Sequence, residues 1–245
     1  MIGSLIDHTK NHYGNVLLNP STLAAFCTEP KTWGEIMKFH HLLASDEYTQ
    51  YVDTFYREGL ERYGTAWRYF DIINALYGSA RLLQPKSYLE IGVRRGRSVC
   101  TVARACPSVD IVAFDIWAEN YAGMENPGPE FVQAELLKNG HTGRIMFVNG
   151  DSHQTVPAFM RQNPNQYFDL ITVDGDHSEG GAIDDLENVL PRLSLGGILV
   201  FDDISHPTLP HLNEVWNRTK SLHPELATFE FREKGFGVGV AIRAR

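Results

Sequence analysis

The chain has 245 residues, of which 43% are hydrophobic and 21% charged, as is typical of a globular protein with one main domain. Its formal net charge of −8 argues against general nucleic-acid binding, because contacts to phosphate groups need clustered Lys and Arg. Three cysteines suggest no disulfide framework, and neither a signal peptide nor an apolar run long enough to span a membrane is recognisable. We therefore expect a cytoplasmic protein without a membrane partner.

Residues 1–62 show no alternation of strands and helices, and we expect several short helices there. Aromatic and histidine side chains are frequent in this part: His8, His12, Tyr13, Trp33, His40, His41, Tyr48, Tyr51, Phe55 and Tyr56. Two interpretations stay open, namely packing in a core or subunit interface, and a cap over a substrate pocket. We treat residues 1–64 as a helical cap or oligomerisation segment, and we expect a homo-oligomer.

Residues 65–83 predict one helix, because Ala66, Phe70, Ile73, Leu76 and Ala80 recur at steps of three or four. This helix is expected to pack on the sheet just before the first strand.

From Lys86 onward, strands and helices alternate regularly. The predicted strands are Ser87–Ile91, Val109–Phe114, Ile145–Val148, Phe168–Val173 and Gly197–Phe201. The predicted helices are Arg97–Ala105, Pro129–Asn139, Ser152–Arg161, Gly180–Leu193 and Leu209–Leu222. Such alternation predicts a parallel sheet covered on both faces. Two final strands, Leu226–Arg232 and Phe236–Ile242, are expected to form a hairpin through a turn at 233–235. The predicted fold of residues 65–245 is therefore α/β, Rossmann-like and doubly wound, with a mostly parallel seven-stranded sheet and a C-terminal antiparallel hairpin.

A glycine turn, Gly92-x-x-x-Gly96, follows the first predicted strand. This spacing differs from the G-x-G-x-x-G that holds a pyrophosphate, and Glu90 just before it would repel phosphate but suits an ammonium group. Asp115, at the end of the next strand, suits the hydroxyls of a ribose. Ser98 is placed to hold a carboxylate at the helix start. A nucleoside with an amino-acid end and no phosphate fits this set, which describes S-adenosylmethionine.

Three carboxylates stand at the ends of two further strands: Asp174, Asp202 and Asp203. Neighbouring carboxylates are stable together only when protonated or bound to a cation, and hard oxygen ligands suit Mg²⁺ or another hard divalent ion. His177, three residues after Asp174, is then a candidate general base. A single strand-end Asp is often only a cap or turn residue, which is the interpretation we give to Asp176.

Together these motifs resemble the class I S-adenosylmethionine-dependent methyltransferases, and especially the metal-dependent O-methyltransferases that include bacterial sugar- and antibiotic-tailoring enzymes and cephalosporin hydroxylase-like proteins. The resemblance covers about residues 79–245. It implies that Glu90, Gly92, Gly96 and Ser98 contact the methionine end of the cofactor, with Asp174 close by. It also implies that Asp115 holds the ribose and that Asp151 and Ser152 border the adenine.

For the second half of the site, the resemblance implies that Asp174, Asp202 and Asp203 ligate the metal ion and that His177 is the base. Plant and animal members commonly have Asn where this chain has Asp203, and the catechol enzymes have Lys in place of His177. This departure favours an alcohol or sugar as the small-molecule acceptor. The expected activity is methyl transfer from S-adenosylmethionine to a hydroxyl group.

Other functions remain open at this point. A methyltransferase without a metal, or a non-catalytic protein that binds S-adenosylmethionine, would share most of these motifs. An NAD-dependent oxidoreductase is disfavoured by the glycine spacing and the terminal hairpin. The loop 118–130 is either a lid or a long connection, His206 and His211 are candidates for substrate contact, and Arg94, Arg95 and Arg97 have no assigned role.

Overall fold

The computed structural model describes residues 17–232 and 235–245. Residues 1–16 lie outside the described residues, and so do Glu233 and Lys234 of the predicted turn at 233–235. The helices are α1 (Pro20–Cys27), α2 (Pro30–His40), α3 (Glu47–Tyr63), α4 (Ile72–Leu83), α5 (Arg97–Ala105), α6 (Pro129–Lys138), α7 (Ser152–Gln162), α8 (Glu179–Val189) and α9 (His211–Leu222). The strands are β1 (Ser87–Ile91), β2 (Asp110–Asp115), β3 (Ile145–Asn149), β4 (Phe168–Val173), β5 (Leu193–Asp202), β6 (Leu226–Phe231) and β7 (Val238–Arg243). In the described ranges, no helix is long and apolar enough to cross a bilayer.

The strands form one seven-stranded sheet in the order β3-β2-β1-β4-β5-β7-β6. The pairings among β1 to β5 are parallel, whereas β7 runs antiparallel to both β5 and β6. The predicted fold class is therefore confirmed. In this order β1 and β4 are central neighbours and β2 lies on the other side of β1, so the carboxyl ends of the strands that carry the candidate site meet at one edge.

Successive residues of the central strands point to opposite faces of the sheet and enter two separate hydrophobic cores. Tyr88 and Ile111 belong to one core, and Leu89 and Val112 belong to the other. The first core is completed by helices α4 and α5 together with residues of α1 to α3, and the second by α7, α8 and α9.

The helices before residue 64 pack into the first of these cores. Trp33 is fully buried, and its indole N–H donates to the carbonyl oxygen of Tyr69 at 3.1 Å. Its ring lies 4.4 Å from that of Tyr56, which is also buried. The core-packing interpretation thus holds for these aromatics, and α3, with 17 residues, is longer than the short helices expected. A division of the chain after residue 64 stays a prediction.

Three predicted boundaries were wrong by four residues or more: the start of the helix predicted over 65–83, the end of the helix predicted over Gly180–Leu193, and the start of β5, which was predicted at Gly197 and lies at Leu193. The single helix over residues 65–83 begins only at Ile72, because the side chains of Asp71 and Asn74 form a capping box there and the chain before it is extended after a short 3₁₀ turn. The helix expected to reach Leu193 ends at Val189, and Leu193 already starts β5. A 3₁₀ turn that contains a proline separates the two elements.

Candidate active site

A cavity of about 660 Å³ opens at the carboxyl ends of β1, β2, β4 and β5. It is lined by nine of the eleven residues that the sequence singled out: Gly92, Ser98, Asp115, Asp151, Ser152, Asp174, His177, Asp202 and Asp203. Glu90 and Gly96 lie outside the lining. The size is that of a site for a cofactor-sized ligand.

Gly92 is required where the glycine turn passes over the end of β4. Its φ angle is +89°, and a Cβ atom built on it would lie 1.9 Å from the carbonyl oxygen of Asp174. Its N–H donates to the carbonyl of Phe114 at 2.9 Å, which fixes the turn to β2. Gly96, by contrast, makes room for Val132 of α6, whose Cγ1 would lie 2.6 Å from an added Cβ. The spacing of the two glycines therefore serves both the floor of the cavity and helix packing.

The side chain of Asp115 binds backbone N–H groups of the glycine turn. One carboxylate oxygen accepts hydrogen bonds from the N–H groups of Val93 at 2.7 Å and Arg94 at 2.8 Å, and the other accepts from Trp117 at 2.5 Å. The oxygen that accepts from Trp117 has a second lone pair, so Asp115 can accept a further hydrogen bond. Asp115 thus organises the turn in addition to its predicted ribose contact.

Glu90 lies beneath the cavity and is fully buried. Its two carboxylate oxygens accept hydrogen bonds from the hydroxyls of Ser98 and Tyr88. Burial raises the pKa of Glu90 to about 8, against the opposing effect of these two bonds. The predicted contact of Glu90 with a ligand stays a prediction, and Ser98, which does line the cavity, lies between the carboxyl and the ligand space.

The start of α7 forms another wall. The side chain of Asp151 accepts a hydrogen bond from the N–H of His153 at 2.9 Å, so Asp151 is the N-cap of this helix. The imidazole of His153 lies 3.5 Å from both Asp151 and Asp176. Asp176 accepts from Ser178, and it is Ser178 whose side chain caps α8. The capping role expected for Asp176 is therefore held by Ser178.

Asp174, Asp202 and Asp203 meet at the cavity beside His177. Nε2 of His177 lies 3.2 Å from Asp174, and its Nδ1 lies 3.5 Å from Asp203. Asp203 has a φ angle of +64°, which is a strained value for a residue with a Cβ atom. The carbonyl oxygen of His177 is 2.7 Å from Nε2 of His211, which therefore supports the loop from behind the cavity.

The pKa shifts in this group follow from burial and from the closeness of the carboxylates to one another. Burial and then the charge of Asp174 raise the pKa of Asp203 to about 7. Burial raises the pKa of Asp202 well above its usual range, and the charges of Asp174 and Asp203 add to this effect. Burial lowers the pKa of His177, but the hydrogen bond and charge of Asp174, with the other acids, outweigh it and leave the pKa above its ordinary value.

The donor chemistry of this group suits a hard divalent cation, because three carboxylates that repel one another gain stability from a cation. The atoms are not yet arranged as a ligand set: across residues 17–232 and 235–245, no group of three His, Cys, Asp or Glu side chains is placed to hold a metal ion. The imidazole of His177 lies between Asp174 and Asp203 instead.

The three arginines of the glycine turn, which had no role at the level of sequence, attach α3 to the site. Arg95 lies 3.6 Å from Asp46, and Arg97 lies 3.6 Å from Asp53. The guanidinium of Arg94 stacks over the ring of Tyr48. The charge complementarity between the arginines and these acids was visible in the sequence, but nothing indicated which of the chain's 30 acidic residues would face them.

Further side chains that lacked a strong sequence signal complete the lining. The loop after β2 contributes Tyr121, Met124 and Asn126, and α3 contributes Tyr48. His206 and Phe236 line the opposite rim, with their rings 4.2 Å apart. The site is thus a cavity that joins the glycine turn and Asp115 to the cluster of Asp174, Asp202, Asp203 and His177, at the carboxyl edge of the sheet.

Comparison with known proteins identifies a methyltransferase domain in part of the chain. Residues 89–204 match the family model described as a methyltransferase domain. Tapetum-specific methyltransferase 1 of Arabidopsis thaliana is 32% identical over 124 residues, which are 50% of this chain and 48% of that protein. The chain thus spans about half the length of the curated relatives it matches.

Two solved structures share the fold. The O-methyltransferase TomG from Streptomyces achromogenes superposes with a TM-score of 0.58 at 17% identity, covering 83% of this chain and 92% of that one. The calicheamicin-biosynthesis enzyme CalS11 gives a TM-score of 0.54 at 23% identity, covering 93% of this chain and 96% of the other. Residues 89–204 thus match a methyltransferase domain, and the chain shares the fold of these two enzymes.

Proposed function

We propose that the protein is a divalent-metal-dependent O-methyltransferase that moves a methyl group from S-adenosylmethionine to a hydroxyl of a small molecule, such as a sugar or a natural-product intermediate. The observation that carries the proposal is the meeting of Asp174, Asp202 and Asp203 in one cavity, with His177 beside them. This cluster shares one cavity with the glycine turn and Asp115. The similarity to TomG, involved in tomaymycin synthesis, and to CalS11, a TDP-rhamnose 3′-O-methyltransferase, supports the acceptor class.

The cofactor half of the site is proposed to consist of the glycine turn, Asp115 and the start of α7. Bound S-adenosylmethionine supplies an electrophilic methyl group on a sulfonium. Asp115 accepts hydrogen bonds from the ribose hydroxyls, Asp151 and Ser152 border the adenine, and Ser98 and Glu90 serve the methionine end. Gly92 allows the turn to pass close to Asp174, so the methionine end and the acid cluster become neighbours.

The acceptor half is proposed to consist of Asp174, Asp202, Asp203 and His177. Mg²⁺ or a similar ion held by the three carboxylates would lower the pKa of a substrate hydroxyl. His177, which lies beside Asp174 and Asp203, takes the proton from that hydroxyl. Alignment of the acceptor oxygen with the methyl group then contributes much of the rate.

The test combines binding and turnover. Release of S-adenosylhomocysteine is measured over a panel of sugars and phenols, and calorimetry measures binding of S-adenosylhomocysteine. Asp174→Ala or an excess of chelator should abolish turnover and leave binding largely intact. The exposed Asp184 of α8 provides the matched control, Asp184→Ala, which should change neither quantity.

Each alternative has its own outcome in this experiment. Full activity in excess chelator would establish a methyltransferase without a metal. Tight binding without turnover on any acceptor would favour a non-catalytic protein that binds S-adenosylmethionine. His177→Ala with unchanged turnover would remove His177 as the base.

The helices before residue 64 are proposed to cap the cavity, because Tyr48 at the start of α3 lines it. A homo-oligomeric state and a cytoplasmic location stay predictions. Light scattering after size-exclusion chromatography tests the oligomeric state.

A further inference from the structure

Arg94 has a backbone conformation that favours glycine. Its φ angle is +49°, in the left-handed region that is costly for a residue with a Cβ atom. The conformation is held by its N–H group, which donates to Asp115 at 2.8 Å. A glycine would adopt this turn more easily, so the side chain is the feature that an arginine adds here.

The side chain of Arg94 bridges two walls of the cavity. Its guanidinium lies 5.0 Å from the centre of the Tyr48 ring, at the start of α3. Its Nη1 atom is 2.7 Å from the sulfur of Met124, in the loop between β2 and α6, and 4.0 Å from a carboxylate oxygen of Asp46. Both Tyr48 and Met124 line the cavity, so a single residue joins α3, the loop 118–128 and the glycine turn.

The geometry of a guanidinium suits this position. It is planar and always charged, so one face can stack on an aromatic ring while its edge donates to other groups. A lysine keeps the charge but has no planar face. Left-handed strain at a residue whose side chain makes such contacts is typical of ligand clamps.

We propose that Arg94 is a positioning residue that holds the loop 118–128 against α3 and thereby keeps the cavity closed over the nucleoside. This inference rests on the proposed function, because it assumes that the cavity binds S-adenosylmethionine and its product. Loop opening and product release limit turnover in many enzymes. Loss of the Arg94 side chain should therefore weaken nucleoside binding without weakening the fold.

The test compares the wild type with Arg94→Gly, Arg94→Lys and Gln84→Gly. Gln84 at the end of α4 is exposed and has a φ angle of 50°, so Gln84→Gly relieves the same strain away from the cavity. Calorimetry gives the Kd for S-adenosylhomocysteine and for 5′-methylthioadenosine, which lacks the amino-acid end. Thermal unfolding reports on the fold, and hydrogen exchange reports on residues 118–128.

For Arg94→Gly we expect an unchanged or higher melting temperature, a Kd raised about tenfold for both ligands, and faster exchange in the loop. Arg94→Lys should give an intermediate Kd. Gln84→Gly should leave both Kd values unchanged. A wild type that binds neither ligand would refute the proposed function itself.

Three results would overturn the role of Arg94 while leaving the proposed function intact. Unchanged Kd values and unchanged hydrogen exchange of the loop in Arg94→Gly would show that the Arg94 side chain does not hold the loop 118–128 against α3. A lower melting temperature with unchanged Kd values would show that it only stabilises the fold. Weaker binding of S-adenosylhomocysteine alone would show a direct contact with the amino-acid end instead of positioning of the loop.

Discussion

Replacement of Glu90 by Gln would test the charge state of the carboxyl group beneath the cavity. Glu90 is fully buried, and burial raises its pKa from 4.5 to about 8. At neutral pH the side chain therefore holds a proton in the folded chain and loses it on unfolding. Gln has nearly the same shape as this neutral form and does not titrate.

The sign of the pH dependence follows from the two pKa values. Between pH 4.5 and about 8, the folded state binds more protons than the unfolded state, so the free energy of unfolding falls as the pH rises. The limiting slope for one group is about 1.4 kcal/mol per pH unit. From about pH 5 to pH 8, the free energy of unfolding of the wild type should therefore fall by up to about 4 kcal/mol relative to that of Glu90→Gln.

Urea denaturation at several pH values, for the wild type and Glu90→Gln, measures this difference. The advantage of the variant should grow steadily as the pH rises. Asp184→Asn, at an exposed position, serves as the control and should run parallel to the wild type. Parallel curves for Glu90→Gln and the wild type would refute the reasoning, because they would mean that Glu90 is ionised normally in the folded chain.

Three further predictions concern other positions. Gly92→Ala should cost more than about 3 kcal/mol of stability, because its Cβ would lie 1.9 Å from a backbone oxygen. Gly34→Ala in α2, where no atom lies within 4 Å of the added Cβ, should instead gain about 0.5 kcal/mol. Urea denaturation of both variants compares these two effects. At pH values above about 7, Asp203→Asn should have a higher melting temperature than the wild type, because burial and the charge of Asp174 raise the pKa of Asp203 to about 7. The same variant should have no turnover. A variant less stable than the wild type in this pH range would contradict the prediction. Glu230→Gln should cost about 1 kcal/mol of stability at neutral pH and nothing near pH 2. Burial opposes ionisation of Glu230, but hydrogen bonds from Arg232, Lys220 and Trp216 outweigh it and lower the pKa to about 2, so the stabilisation is present above pH 4.5 and is lost in acid. Thermal melts at several pH values measure this difference.

The parts of the fold that depend on local pattern could be predicted from the sequence. The strands Ser87–Ile91 and Phe168–Val173 and the helix Arg97–Ala105 have the predicted bounds, because short apolar runs, glycines and helical spacing define them locally. The cavity lining followed from the same pattern, because the carboxyl ends of parallel strands must meet at one edge of the sheet.

Features that depend on distant partners could not be predicted. Arg95 and Arg97 of the glycine turn form ion pairs with Asp46 and Asp53, which precede them by some forty residues or more. No periodicity in the sequence indicates such a pairing. The start of α4 was misplaced, although Asp71 and Asn74 are a recognisable capping pair, because the apolar spacing continues upstream of the cap. The difference between Glu90 beneath the cavity and Ser98 at its surface is a matter of depth, which the order of residues does not encode.

The position of β7 has a consequence for synthesis on the ribosome. This strand comes last among the strands, yet it lies between β5 and β6 and its residues are almost all buried. Because a chain emerges amino end first, β5, which is largely buried in the finished sheet, has an open edge until residues 238–243 appear. An apolar strand with an open edge can pair with other chains. The nascent protein should therefore depend on chaperones most strongly in the interval between the emergence of β5 and that of β7.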